Sequence, residues 1–286
     1  MKYVINRSPY AAEHRILTSN VLKIIAAITM VLDHVGVYLV GQSEEVLYAI
    51  LRYTGRLSFP LFAYCVAEGC RYTRNKKKRF WTIFLMGIGF EIFWVCFKFI
   101  SSGGMSLLDA FAGNPLGLLK FVRNTCVDGN VFLTFSCSIL LIFIMQACKE
   151  GLAKSNWKKA VLYGGLFLVA FAGVYGFNYV MNGLSYGIYG ILLPVLVASV
   201  DYDEDKAPKL FKKLDLPQVK MALFAFGLIL IALHSAMRNI QFLGLLAIIP
   251  LSLYNGKPGS GKMKWWFYVF YPAHLVLLWV IGQLIK

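Results

Sequence analysis

Five side chains of this sequence can carry charge or exchange protons while standing in or beside long apolar runs: Lys23, Asp33, His34, Arg52 and Arg56. An ionisable group in such a run costs a few kcal/mol at helix centre on insertion scales, so it is a functional candidate first. Lys23 and His34 lie eleven residues apart. At about 100° and 1.5 Å per residue they return to within about 20° of one helical face, about 16 Å apart along the axis. Ala27 and Met30 share that stripe. A long ligand lying along it would place an anionic end on Lys23 and a reactive end at His34, where an imidazole can act as general base or carry a group covalently. The structural alternative is a snorkelling lysine and an unrelated interhelical histidine. Asp33 is turned about 100° from its neighbour and cannot orient that ring, so it calls for a cation from another helix. Arg52 and Arg56, four residues apart on one face, are its natural counter-ions, or else a surface feature of an outer loop.

Further candidates are Glu68, Glu91, Lys98, His234, Arg238 and His274. His274 closes a helical stripe with Phe267, Phe270 and Tyr271, beside Pro272. Such stripes usually pack, yet packing does not require a histidine. The His and carboxylate spacings on any one helix do not suit a metal, and none is implied.

The elements that must position these groups follow from composition. The chain has 286 residues, 58% of them apolar and only 15% charged, against about 25% charged in soluble domains; mean hydropathy is +0.63. That leaves too little polar residue to coat a water-soluble fold, and it excludes a large soluble catalytic domain and a disordered chain. Apolar runs long enough to span a bilayer cover 21–40, 54–70, 80–100, 131–148, 160–176, 184–200, 219–235, 240–254 and 266–285. The expectation is an all-α polytopic transmembrane bundle of about nine spans (eight to ten), forming a single domain over 1–286 with a cytoplasmic leader at 1–20. Pro60 should kink the second span. The mixed segment 101–130, with an amphipathic piece at Leu116–Val122, has room for a surface or re-entrant helix.

Lys plus Arg number 29 against 14 Asp plus Glu, a net +15. In a soluble protein this would suggest nucleic acid, but in a membrane protein it is first a topology signal. With an inside N-terminus and nine alternating spans, 22 of the 29 basic residues fall on the cytoplasmic side, including Lys220 and the run Arg71–Arg79. The expected arrangement is a multi-pass protein of a bacterial inner (plasma) membrane, N-terminus cytoplasmic and C-terminus outside, with the bilayer and not nucleic acid as partner. The six cysteines mostly sit in apolar runs and read as small buried hydrophobes. The first apolar run follows a polar leader, so it is expected to be retained rather than cleaved.

The strings Leu22-Lys-Ile-Ile-Ala26 with Met30-Val-Leu-Asp-His34, Arg56-Leu-Ser-Phe-Pro-Leu-Phe62 with Ala67-Glu-Gly69, Tyr254-Asn-Gly256, and Phe267-Tyr-Val-Phe-Tyr-Pro-Ala-His274 resemble the TraX family. The resemblance runs from about residue 20 to the C-terminus. The family's namesake acetylates the N-terminal amine of a conjugative pilin subunit, and the family is similar to a wider set of multi-span acyltransferases that draw acyl-CoA from the cytoplasm. Many members of that set carry Arg-x10-His in their first span; here Lys23 takes the Arg position, which removes bidentate phosphate recognition.

The resemblance implies an acyltransferase using acetyl-CoA, or another acyl-CoA, as co-substrate, with an amine or hydroxyl of an exported protein or a glycan as acceptor. His34 and Asp33 would be the catalytic pair. Lys23, Arg52, Arg56, Glu68, Asn255, Tyr271 and His274 would bind substrate or acyl-CoA. The rival reading is a proton-coupled transporter or exporter, since intramembrane Asp, Glu and His can form a proton relay. The sequence offers no inverted repeat with matching broken helices to support it.

Overall fold

The computed structural model describes residues 16–41, 44–101, 130–180, 184–201, 214, 216–235, 238–257, 259 and 263–285. The expected amphipathic piece at Leu116–Val122 lies outside them. Within them the fold is all-α, with one isolated bridge between Leu17 and Tyr254. The helices are α1 (Ser19–Val35, continued by the π-helical turn Gly36–Val40), α2 (Glu45–Gly55), α3 (Ser58–Tyr72), α4 (Lys76–Ser101) and α5 (Val131–Ala153). They continue with α6 (Trp157–Val180), α7 (Gly187–Ala198) and α8 (Pro217–His234). α9 is a run of three short pieces (Arg238–Gln241, the 3-10 stretch Phe242–Ala247, and Ile248–Ser252), and α10 spans Lys264–Ile285.

Each expected apolar run is helical, and six of these helical segments have the length and hydropathy to cross a bilayer: Ser19–Val40, Lys76–Cys96, Val131–Ala153, Trp157–Val180, Pro217–His234 and Trp266–Ile285. α3, α7 and α9 are shorter. The protein is therefore a polytopic helical membrane protein.

The region of the expected second span differs in detail. Residues 45–55 form a helix of their own, Arg56 and Leu57 make a turn, and α3 begins only at Ser58. Pro60 thus falls in the first turn of α3, where its missing N–H has no intrahelical partner to lose and where it opens the helix instead of kinking it.

The chain forms two compact units. One holds the described residues up to Gly69, Leu196–Asp201 and those from 214 onward; the other holds the described residues from Cys70 to Val195. In the second unit Asn130 caps α5 by accepting from Phe132 N and Leu133 N at 3.1 Å, while its amide donates to Gly87 O and to Glu91 Oε1. Gly87 and Gly151 let α5 close on α4 and α6: a Cβ would meet Leu133 or the Ala160 backbone inside 3.0 Å. Ser138 donates to Ile191 O at 2.8 Å, tying α7 to α5.

The first unit is built on α1. Thr18 caps its N-terminus, and the Tyr254–Lys257 segment is sewn to its foot by Leu17 N to Leu253 O, Asn255 N to Leu17 O and Ser19 N to Lys257 O, all 2.9 Å. Tyr254 is buried edge-on against Tyr64, which in turn meets Phe224 edge-on.

α10 runs beside α1 in the same direction. Lys23 Nζ lies 5.8 Å from the Phe267 ring centroid, His34 meets His274, and a Cβ on Gly282 would stand 2.8 Å from Tyr38 O. Two parallel bilayer-crossing helices must be separated by an odd number of crossings. Among the described residues four other helices have full crossing length, an even number, so at least one further segment must also traverse. The parallel course predicts that the two chain termini lie on opposite membrane faces. Reporters of compartment fused to each end in a bacterial host, a fluorescent protein active only inside and an alkaline phosphatase active only outside, should give opposite readings. The same reading at both ends would contradict the parallel arrangement.

Candidate functional site

Asp33 sits two residues before the end of α1, where the helix passes into the π-helical turn. Its Oδ1 accepts from Arg52 Nη1 and from Arg56 Nη2, both at 2.8 Å. Arg52 comes from the last turn of α2 and Arg56 from its C-cap, so the end of one short helix delivers both guanidiniums to one carboxylate oxygen. Arg56 is held further by donating Nε to Arg52 O at 3.1 Å and Nη1 to Gln241 Oε1 of α9 at 3.4 Å. Side-chain exposures of 15%, 16% and 9% for Asp33, Arg52 and Arg56 place the cluster out of bulk water.

Two features absent from the sequence reading make this possible. Gly55 lies so close to Asp33 that an added Cβ would overlap its side chain. Gln241 is 3% exposed and supplies a neutral acceptor for a guanidinium already sharing its carboxylate. Neither has a sequence signal of its own, since glycine and glutamine are common and their partners are distant in the chain. Two guanidiniums share one carboxylate oxygen in this cluster. Arg52 Nε is buried with no hydrogen-bond partner among the described residues, so donor capacity there exceeds what the carboxylate uses.

The next residue, His34, faces another helix. Its Nδ1 is 2.8 Å from Nε2 of His274, with ring centroids 5.0 Å apart. His274 is 5% exposed, and its Nδ1 lies 3.0 Å from the Phe270 carbonyl one turn back. Its ring stacks on Phe270 at 5.2 Å and 14°, Phe270 stacks on Trp266 at 4.5 Å and 18°, and Tyr271 meets His274 edge-on at 5.8 Å. The expected stripe on α10 is thus an aromatic ladder ending in the histidine pair. His34 and His274 are 240 residues apart in sequence.

The Lys23-to-His34 stripe of α1 does not run open. Phe267 caps its lower end, His274 its upper end, and Ala27 and Met30 between them are buried at 2% and 7%. α10 occupies the line along which a ligand was expected to lie, so a ligand reaching His34 must come from beside the α1–α10 contact.

Other sequence candidates fall elsewhere. Glu68 accepts from Lys220 Nζ at 3.1 Å, and Asp201 also pairs with Lys220; the three are 3%, 6% and 0% exposed. Lys220, counted from sequence among the loop cations, is instead a buried ion-pair partner. Asn255 accepts from Lys257 N at 2.9 Å and shapes the turn at the foot of α1. Glu91 belongs to the second unit, beside Asn130. His234 is exposed, its Nδ1 on Leu230 O.

The fold and this cluster define a multi-pass helical membrane protein with a compact polar site built on α1, α2, α9 and α10. The profile described as TraX protein matches residues 18–282, and the chain belongs to the TraX family. It is 27% identical over 267 residues to the probable fimbrial assembly protein FimC, serogroup H1, of Dichelobacter nodosus, an alignment covering 90% of this chain and 92% of that protein. No solved structure matches it.

Removing the Asp33 charge would leave two guanidiniums facing each other out of water. Asp33→Asn should cost about 3–5 kcal/mol, the range for an orphaned buried charge. Adding Arg52→Gln to Asp33→Asn should return part of that loss, because it removes one of the uncompensated cations. Thermal unfolding of the detergent-purified single and double variants measures both effects. Equal stability of wild type and Asp33→Asn would show that the cluster carries no such charge balance.

Proposed function

We propose that the chain is an integral-membrane acyltransferase that moves an acetyl group from acetyl-CoA to an amine or hydroxyl of an exported protein, pilin-like at its N-terminus, or of a glycan. The observation that carries this reading is the pair formed by His34 and His274 at 2.8 Å, directly adjoining a cluster in which two arginines share Asp33. A positioned imidazole removes the proton from the attacking nitrogen or oxygen. A preorganised cationic cluster suits the negative charge that develops on the thioester carbonyl oxygen. The acceptor attacks the carbonyl carbon, its proton passes to His34, the carbon–sulfur bond breaks, and the CoA thiolate leaves and takes up the proton.

Asp33 does not act on the substrate here; it fixes Arg52 and Arg56, whose guanidinium charge, with the unused Nε–H of Arg52, does. Lys23, about 16 Å below His34 by helical rise, would attract the CoA phosphates near the cytoplasmic end of α1, and Asn255 shapes the turn at the foot of that helix. Tyr271 holds the edge of the His274 ring. The family membership supports this activity by resemblance, and the name of the Dichelobacter nodosus relative supports a pilus-type acceptor. The proposed setting is a bacterial inner membrane, with donor drawn from the cytoplasm and acceptor met toward the outer side.

Purified wild-type protein in detergent or liposomes should transfer radiolabelled acetyl from acetyl-CoA to an N-terminal peptide or sugar acceptor. His34→Ala should reduce transfer by at least about 100-fold while the protein still inserts and purifies normally. Full activity in that variant, or uptake of an unmodified solute by liposomes without any transfer, would overturn this reading in favour of another mechanism or of transport.

A further inference from the structure

We infer that His274 is a positioning residue that fixes the tautomer of His34, so that Nε2 of His34 is the atom that receives the acceptor's proton. This deepens the acyltransferase reading of the same site and rests on it.

The tautomers follow from which ring nitrogens donate and which accept. A backbone carbonyl only accepts, so the 3.0 Å contact with Phe270 O requires the hydrogen of His274 to be on Nδ1. With that ring neutral, its Nε2 carries a lone pair and can only accept. The 2.8 Å contact to His34 Nδ1 is then a bond in which His34 donates. With both rings neutral no other assignment satisfies both bonds. His34 Nε2 is left with the lone pair, on the nitrogen away from His274. The chain of bonds runs from His34 through His274 to the Phe270 carbonyl, and it ends on a group that cannot take a proton. His274 therefore orients and polarises His34 and does not carry the proton onward.

The surroundings hold His274 for this task. Its ring is the last member of the Trp266–Phe270–His274 stack, at interplanar angles of 18° and 14°. One residue, Phe270, thus sets both the plane of the ring and its tautomer, through ring stacking and carbonyl respectively. A third contact, Tyr271 edge-on at 69°, blocks rotation out of the stack. Asp33 does not do the job, because it is turned about 100° around α1 from His34 and the Nδ1 of His34 is taken by His274. A carboxylate plays the orienting role in the Ser-His-Asp arrangement, where a wrong tautomer costs about 10⁴ in kcat; here a second imidazole backed by a carbonyl takes its place. When His34 Nε2 accepts the proton from the acceptor, its Nδ1–H strengthens its bond to His274, and the same Nε2–H is later returned to the departing thiolate.

The test uses full-length protein in detergent or nanodiscs, with two readouts. In steady-state transfer from acetyl-CoA, His274→Ala should lower kcat by about 100-fold, the scale of losing an orienting partner, with KM for acetyl-CoA changed by less than about two-fold. His274→Gln, whose amide oxygen can accept from His34 Nδ1–H, should recover about ten-fold of that loss. The second readout is the 15N spectrum of ring-labelled histidine in wild-type protein, with His34 assigned by its loss in His34→Ala. It should show a pyrrole-type Nδ1 and a pyridine-type Nε2 for His34.

Wild-type kcat in His274→Ala, no recovery in a folded His274→Gln, or a His34 ring protonated on Nε2 in the resting protein would each overturn the inference. A wild-type protein with no transferase activity would overturn the acyltransferase reading instead. The 15N spectrum of that same sample still decides the tautomer, so the two failures are distinguishable.

Discussion

An ionised group removed from water into an apolar helical interior costs several kcal/mol unless a partner meets it with good geometry, and the first unit of this protein is arranged around that requirement at Asp33. One carboxylate oxygen receives two guanidiniums, which demands that the end of α2 reach the upper part of α1. That approach needs a glycine at position 55 where the Asp33 side chain lies, a short helix carrying Arg52 and Arg56 on one face, and Gln241 from α9 to take up a spare guanidinium N–H. The same rule explains the Glu68–Lys220–Asp201 group, where a fully buried lysine is shared by two carboxylates. In each case opposite charges from separate segments are drawn together because lipid offers them no alternative.

Compensating Asp33 has a consequence for its neighbour. With α1 held against α2 on the Asp33 side, His34 presents a different face, and α10 lies along it in parallel from Phe267 to Gly282. The π-helical turn that follows directly after Val35 shifts the backbone register there, as such turns often do at functional positions. Pro272 removes one rung of the α10 ladder two residues before His274. His34 is therefore framed by charge on one side and by a stacked aromatic ladder on the other.

The nine apolar runs and their helical nature were legible because hydropathy over about 20 residues is a strong, local signal. The partnership of Asp33 with Arg52 and Arg56 was legible for a similar reason, since few charges in so apolar a chain leave few pairings. What escaped depends on distance or on close approach. His34 and His274 were expected in one site, but their direct contact joins residues at opposite ends of the chain, and no local signal gives its geometry. Lys220 looked like one more cation beside a basic loop, and only the packing of α3 and α8 with the 196–201 segment places it in the interior. The turn at Arg56 splits what hydropathy joined, because the apolar run continues across it. The open stripe from Lys23 to His34 was inferred from one helix in isolation, and α10 fills it.

The proposed acyl transfer through His34 is tested most directly by mass spectrometry of cell-envelope proteins and glycans. Cells with the gene deleted and complemented by wild type or by His34→Ala, grown on isotopically labelled acetate, provide the comparison. At least one envelope species should gain a labelled acetyl group, a mass increase of about 42 Da before the label, only with wild type. Identical acylation profiles in wild-type, His34→Ala and deleted cells would contradict it.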